Sequence, residues 1–292
     1  MKPSDAFSLL SKSTVAILRL TGNQGRLVGT GFVVSGTPHV LTCSHVVQPY
    51  DANDVTVRYG VLKRRLAPGE VLDLRQAQIS WIIASHVNVH PELDLAVLTL
   101  DTASAANRPV ASQIGLFPAQ PVSLSFAPRR IGERVAWLGL AVLGDLIATP
   151  RFFEGVIVSS YVNDSNYTYP GPGGLLQSYH AQGLELLEVN QMFIPGCSGG
   201  PVANLADGSV IGYVHGYGSW PVGLTPGVID IDAVQLTTQS TTIQGTLRQK
   251  APVIAALSRA IDVRSIQSFL RQEGIPIQET NYLRRIRTLF GS

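Results

Sequence analysis

Residues 195–202 read PGCSGGPV. A serine set among glycines can occupy a tight turn where backbone amides come close to a substrate carbonyl, because glycine has no Cβ in the way. Ser198 is therefore a candidate nucleophile. Its hydroxyl is nearly inert until a base accepts the proton, so a histidine, and a group that orients it, must come from elsewhere in the chain. Six histidines are available: His39, His45, His86, His90, His180 and His215. His45 follows the apolar segment HVLT (39–42), which as a strand would deliver it to a fixed position at a turn. Asp94 opens the apolar run DLAVLTL (94–100), where a buried carboxylate needs a partner and an imidazole N–H would be one.

The surrounding sequence favours strands. Gly 28 and Pro 18 supply turn-formers throughout the 292 residues, and apolar runs of strand length lie between them. Such runs span 14–20, 31–35, 39–42, 54–59, 79–84 and 94–100, then 134–138, 155–160, 184–189, 202–204 and 210–215. The small, Pro-punctuated stretch 101–121 divides the two series as a linker. Helical signals are confined to the end, where Asp262 caps VRSIQSFLRQEG and Gly274 terminates it. Residues 218–257, rich in Thr, Gln and Pro, read as an extended surface excursion. The expected division is 1–110 with His45 and Asp94, 111–275 with Ser198 and the closing helix, and a basic amphipathic tail over 276–292.

The order His45, Asp94, Ser198, with intervals of 49 and 104 residues, resembles that of the trypsin-like (chymotrypsin-fold) serine peptidases. Within them the likeness is to the bacterial Do-like branch without disulfides. GTGFVV (29–34) resembles the strand before the catalytic histidine, IGERVAWLGL (131–140) the family's G-x-x-V-x-x-x-G strand, FFEGVIVSS (152–160) its G-x-V-S turn, and AIDVRSIQSFLRQEGI (260–275) its closing strand and helix. The resemblance covers residues 10 to 275. It implies an all-β fold of two antiparallel six-stranded β-barrels with a C-terminal helix and the active site between the barrels. It also implies Ser198 as nucleophile, His45 as general base and acid, Asp94 as its orienter, and the amides of Gly196 and Ser198 as the oxyanion hole. The substrate is then a protein or peptide, with neither cofactor nor metal.

The same resemblance places a specificity pocket near Met192 and Phe193, with walls at Val214, His215 and Gly216. No acidic residue lies at its floor, which favours an apolar residue before the cleaved bond. His215 admits two readings, a ligand for acidic substrates or a group facing Asp94. Cys197 stands where an Asp or Asn commonly precedes the serine, which argues against activation by a newly released amino terminus. The G-x-S-x-G elbow of α/β-hydrolases also fits GCSGG, yet Gly199, Gly200 and Pro201 make a poor helix start and no Ser, Asp, His order follows.

Charged residues are 14% of the chain and the net charge is +2, which offers no strong field to nucleic acid. The longest apolar run, 135–144, is far short of a membrane span. The first twenty residues lack a continuous apolar core, and two cysteines, Cys43 and Cys197, read as buried thiols in a reducing compartment, so a cytoplasmic location is expected. The spacing of His86, His90, Glu92 and Asp94 is a weak metal pattern without a second ligand cluster. NYLRRIRTLF (281–290) reads as an amphipathic helix on its own domain or as a dock for a regulatory partner. With 17 residues after position 275, no peptide-binding PDZ domain is expected. Two functional classes follow, an active intracellular endopeptidase in quality control, stress or defence, and an inactive peptidase-like module that binds in the same cleft.

Overall fold

Short β-branched and aliphatic runs between turn residues are largely buried, several on both faces, and the chain satisfies their backbone by pairing them antiparallel. The computed structural model describes residues 1–22, 24–34, 39–47, 57–62, 70–73, 81–102, 122–143, 147–163, 166–170, 176–180, 183–191, 193–194, 196–221, 234–238, 241–245 and 254–277. The N-terminal series comprises β1 (Thr14–Thr21), β2 (Gln24–Val33), β3 (His39–Thr42), β4 (Val57–Leu62), β5 (Leu72–Asp73), β6 (Trp81–His90) and β7 (Leu95–Leu100). All but β5 close into a barrel in the order β1-β2-β3-β7-β6-β4.

The second series comprises β8 (Arg134–Leu143), β9 (Ile147–Asn163), β10 (Asn166–Pro170), β11 (Leu176–His180), β12 (Leu184–Val189), β13 (Pro201–Asn204), β14 (Val210–Pro221), β15 (Val234–Thr238), β16 (Thr241–Gly245) and β17 (Ile254–Asp262). Six of these run β12-β17-β14-β13-β8-β9, and pairing of β12 with β9 closes the ring. The architecture is thus two closed six-stranded antiparallel barrels followed by a helix, as the sequence leads one to expect. Closure leaves few free strand edges. β5 joins the outer side of β9, pairing Leu72 with Ala148, so the N-terminal half contributes to the second sheet.

Helix is less confined than expected. α1 (Pro3–Leu10) precedes the first barrel, and a single turn, α2 (Ser44–Val47), follows β3. The sequence PSDAFSLL shows little periodicity, but Ala6 and Leu10 are fully buried and Ala6 packs with Ala136 and Leu205 of the second barrel. Tertiary contact, not propensity, makes this short helix. At the other end Asp262 accepts from the Arg264 amide at 2.9 Å. A 3-10 turn (Val263–Ile266) then leads into α3 (Gln267–Gln272), and Gly274 ends it with φ +64°.

The excursion after residue 218 is partly strand: β14 continues to Pro221, paired with Ile254 of β17, and β15 pairs with β16. The linker from 103 to 121 and the tail from 278 lie outside the described residues. No helix among the described residues is long and apolar enough to cross a membrane.

One apolar cluster fills the first barrel with Phe32, Leu41 and Leu98 and continues to Tyr213, Ile261 and Phe269. A second fills the other barrel around Trp137, which stacks on Phe153 at 5.5 Å and meets the edge of Phe193 at 4.8 Å. The continuity of the first cluster seats the two barrels against each other, and the chemistry-bearing loops meet at that seam.

Candidate active site

Asp94 does not begin a strand. It sits between a 3-10 turn (Pro91–Leu93) and β7 with φ +43°, a left-handed conformation that aspartate tolerates better than most residues. Its side chain is completely buried. Oδ1 accepts from the Ser44 hydroxyl at 2.8 Å and the His45 amide at 3.0 Å, while Oδ2 lies 2.8 Å from His45 Nδ1 and 2.6 Å from His215 Nδ1. β3 ends at Thr42 and α2 begins at Ser44, so the first barrel delivers His45 directly to this carboxylate.

The electrostatics follow from that packing. Burial alone would raise the Asp94 pKa, but the His45 charge and the hydrogen bonds from His215 and His45 hold the carboxyl well below the ordinary range. Burial opposes charge on His45, yet the Asp94 carboxylate outweighs it and raises the imidazole above its ordinary 6.5. With Nδ1 turned to Asp94, Nε2 is the nitrogen left to exchange a proton with a nucleophile.

Ser198 is presented by the loop between β12 and β13. Gly196 and Gly199 take φ +90° and +83°, conformations that exclude an ordinary side chain. The amides of Cys197, Gly199 and Gly200 donate to the carbonyls of Ile194, Val214 and Cys197. The amides of Gly196 and Ser198 have no acceptor among the described residues. The Ser198 hydroxyl likewise has no hydrogen bond among the described residues, an arrangement common where a substrate completes the contact.

Thr30 fastens this loop to the first barrel. Its amide donates to Ser198 O at 2.9 Å, its hydroxyl donates to Gly196 O at 2.7 Å, and the same hydroxyl accepts from the Leu140 amide at 2.9 Å. A methyl group on Gly29 would meet Val46 at 2.7 Å and Ser198 O at 3.2 Å, so the His45 turn and the Ser198 loop converge on that glycine. Gly139 serves similarly, since a Cβ there would strike Cys197 Sγ.

A profile for the trypsin-like peptidase domain matches residues 29–212, more than half of the chain and all three of these segments. The chain belongs to the trypsin-like peptidase family. It is accordingly a serine endopeptidase by class, with protein or peptide substrates. No curated protein sequence matches it. Among solved structures, the HtrA-type protease AlgW with a decapeptide superposes at TM-score 0.53 and 15% identity, over 93% of this chain and 67% of that one. AlgW with a tripeptide gives 0.51 and 17%, over 94% and 65%. The active form of the Rv3671c protease from M. tuberculosis gives 0.49 and 19%, over 94% and 85%. At these identities the likeness is one of fold.

In this trypsin-like peptidase the remaining candidate residues are distributed unevenly. Phe193 and Val214 belong to the second core cluster, 2% and 1% exposed, and the Phe193 amide donates to Ser258 Oγ. Gly216 is half-buried beside them, while Met192 lies outside the described residues. His215 turns toward Asp94, with Nδ1 2.6 Å from Oδ2. β14 shifts register with β17 between Val214 and Gly216, which makes His215 the extra residue of a bulge.

His86 and His90 lie along β6 and form no metal-like cluster with Asp94 among the described residues. Cys43, His45, Asp94 and His215 do bring one ligand-type atom each within 4.8 Å of one another. Within that group the two imidazoles lie at hydrogen-bond distance from Asp94, while the Cys43 thiol donates to Val214 O at 3.1 Å. Burial first, and then the Asp94 charge, push that thiol far above its ordinary pKa, so it sits as a neutral donor.

Proposed function

We propose that the peptidase cleaves internal peptide bonds through an acyl-enzyme, with Ser198, His45 and Asp94 as its triad. Ser198 Oγ attacks the scissile carbonyl as His45 Nε2 accepts its proton. The imidazolium so formed is stabilised by the Asp94 carboxylate and then protonates the leaving amine. Water, deprotonated by the same imidazole, releases the acyl group. The amides of Gly196 and Ser198 receive the oxyanion, each worth roughly 3 kcal/mol of barrier in sites of this kind. The 2.8 Å contact between His45 Nδ1 and Asp94 Oδ2 carries the reading, because it fixes which imidazole nitrogen faces the nucleophile.

With His215 committed to Asp94 and apolar Phe193 beside the serine loop, we assign a preference for an apolar residue before the cleaved bond. The buried free thiols Cys43 and Cys197 support work in a reducing, intracellular compartment, as in protein quality control, stress or defence. A fluorophosphonate probe tests the triad: the wild type should label, and Ser198→Ala and His45→Ala should not. The unbonded Ser198 hydroxyl favours one second reading, a latent module that holds a peptide without cleaving it. Folded wild type that binds peptides but never labels would select that reading.

A further inference from the structure

We propose that His215 is a positioning residue of the triad: a second imidazole that holds the Asp94 carboxylate, shares its charge with His45, and thereby sets the proton affinity of the general base. The inference rests on the triad reading above and goes beyond it. His45 and His215 both address Oδ2, and the His215 contact is the shorter, 2.6 Å against 2.8 Å. The rings meet at 74° with centroids 6.0 Å apart, so each imidazole reaches the carboxylate independently instead of stacking on the other.

The placement is enforced from several sides. His215 sits at the bulge of β14, between Val214, opposite Ala260, and Gly216, opposite Arg259. Two residues earlier the Tyr213 hydroxyl donates to Leu93 O at 2.9 Å, which ties the same strand to the residue before Asp94. The His215 side chain is 12% exposed and that of Asp94 is sealed, so water competes weakly for the contact. The titratable groups around His215 are Asp94, His45 and Cys43, and on the adjacent strand Arg259, opposite Gly216, is engaged with Glu188 at 3.5 Å.

A carboxylate oxygen that accepts from two imidazoles offers less negative charge to either one. Removal of His215 therefore concentrates the Asp94 charge on His45 and makes that imidazole easier to protonate. It also loosens the carboxylate, which would then hold His45 less firmly during proton transfer.

The test titrates the His45 imidazole by NMR in the Ser198→Ala protein, with His215 intact or replaced by Ala or Gln. The His45 midpoint should rise by roughly half a unit or more in His215→Ala and return part of the way in His215→Gln, whose amide can still donate. An unchanged or lowered midpoint overturns the proposal. If the Ala variant does not fold, the Gln and Asn variants decide by the same criterion. In the active enzyme the acid limb of kcat/KM should move up by the same amount and kcat, not KM, should fall about tenfold in His215→Ala. A purely structural role would lower activity at every pH without moving the limb. The NMR arm does not require catalysis, so failure of Ser198-dependent labelling and failure of this inference are read separately.

Discussion

Asp94 and Asp262 are both fully buried, and each gathers partners from distant parts of the chain, yet they do different work. Asp262 accepts from Arg129 Nε at 3.0 Å, Arg264 Nε at 3.1 Å and the Arg264 amide at 2.9 Å. A guanidinium has no proton to trade in the working range, so this cluster can only hold β17 and α3 in place. Asp94 collects imidazoles, which can give and take a proton while keeping the same hydrogen bonds. The same buried carboxylate is a rivet between guanidinium groups in one place and a clasp on two imidazoles in the other, according to the partners it holds.

The contrast is broken most sharply by Asp94→Asn. Its amide keeps the shape of the site but not its charge, and hydrolysis or labelling should fall by about four orders of magnitude with the fold intact. Asp262→Ala should do the reverse. It strands the Arg129 guanidinium, itself 2% exposed, and should cost about 3–5 kcal/mol in urea denaturation while folded molecules still label. Thr30→Val probes the link between the regions: it keeps the shape but removes both hydroxyl contacts. A stability loss of about 1–3 kcal/mol, accompanied by slower labelling at unchanged Ser198 and His45, is expected.

The smallest effect is in the pH profile. His45 is raised above 6.5, so its pairing contributes fully below that pH and fades as pH climbs through the raised value. Asp94 is lowered from 3.8, so its contribution is present above that pH and is lost only on further acidification. The pair therefore stabilises most in the weakly acidic window between them. The Tm of Ser198→Ala should decline from that window toward alkaline pH, while wild-type hydrolysis, which needs neutral His45, rises across the same range. Asp94→Asn should erase the decline, and Asp262→Ala should leave it.

Much of the fold was legible because its strands are short and punctuated. The segments 39–42 and 184–189 have the expected bounds, set by local turn chemistry. β9 extends from 147 to 163, well beyond the expected 155–160, since its length is set by pairing first with β8 and then with β12, and it includes Pro150. α1 was invisible because its buried positions matter only through tertiary contacts, Ala6 against Ala136 and Leu205 and Leu10 in the cluster that fills the first barrel. Of the site, the turn after HVLT and the glycines around Ser198 marked the residues that local geometry presents. Thr30 stood in plain view in GTGFVV, but its role arises from contacts to Gly196 and Leu140 more than a hundred residues away. His215 carried two readings, and only the fold, through a bulge in β14, brings it to 2.6 Å from Asp94.

The left-handed backbone at Asp94 limits what may stand there. Asparagine and glycine suit that conformation, whereas glutamate or a β-branched residue would strain it. The replacements most compatible with the loop are therefore those that lose the carboxylate. A lineage could pass from peptidase to silent peptide-holding module by one substitution, Asp94→Asn, that this backbone accepts without strain.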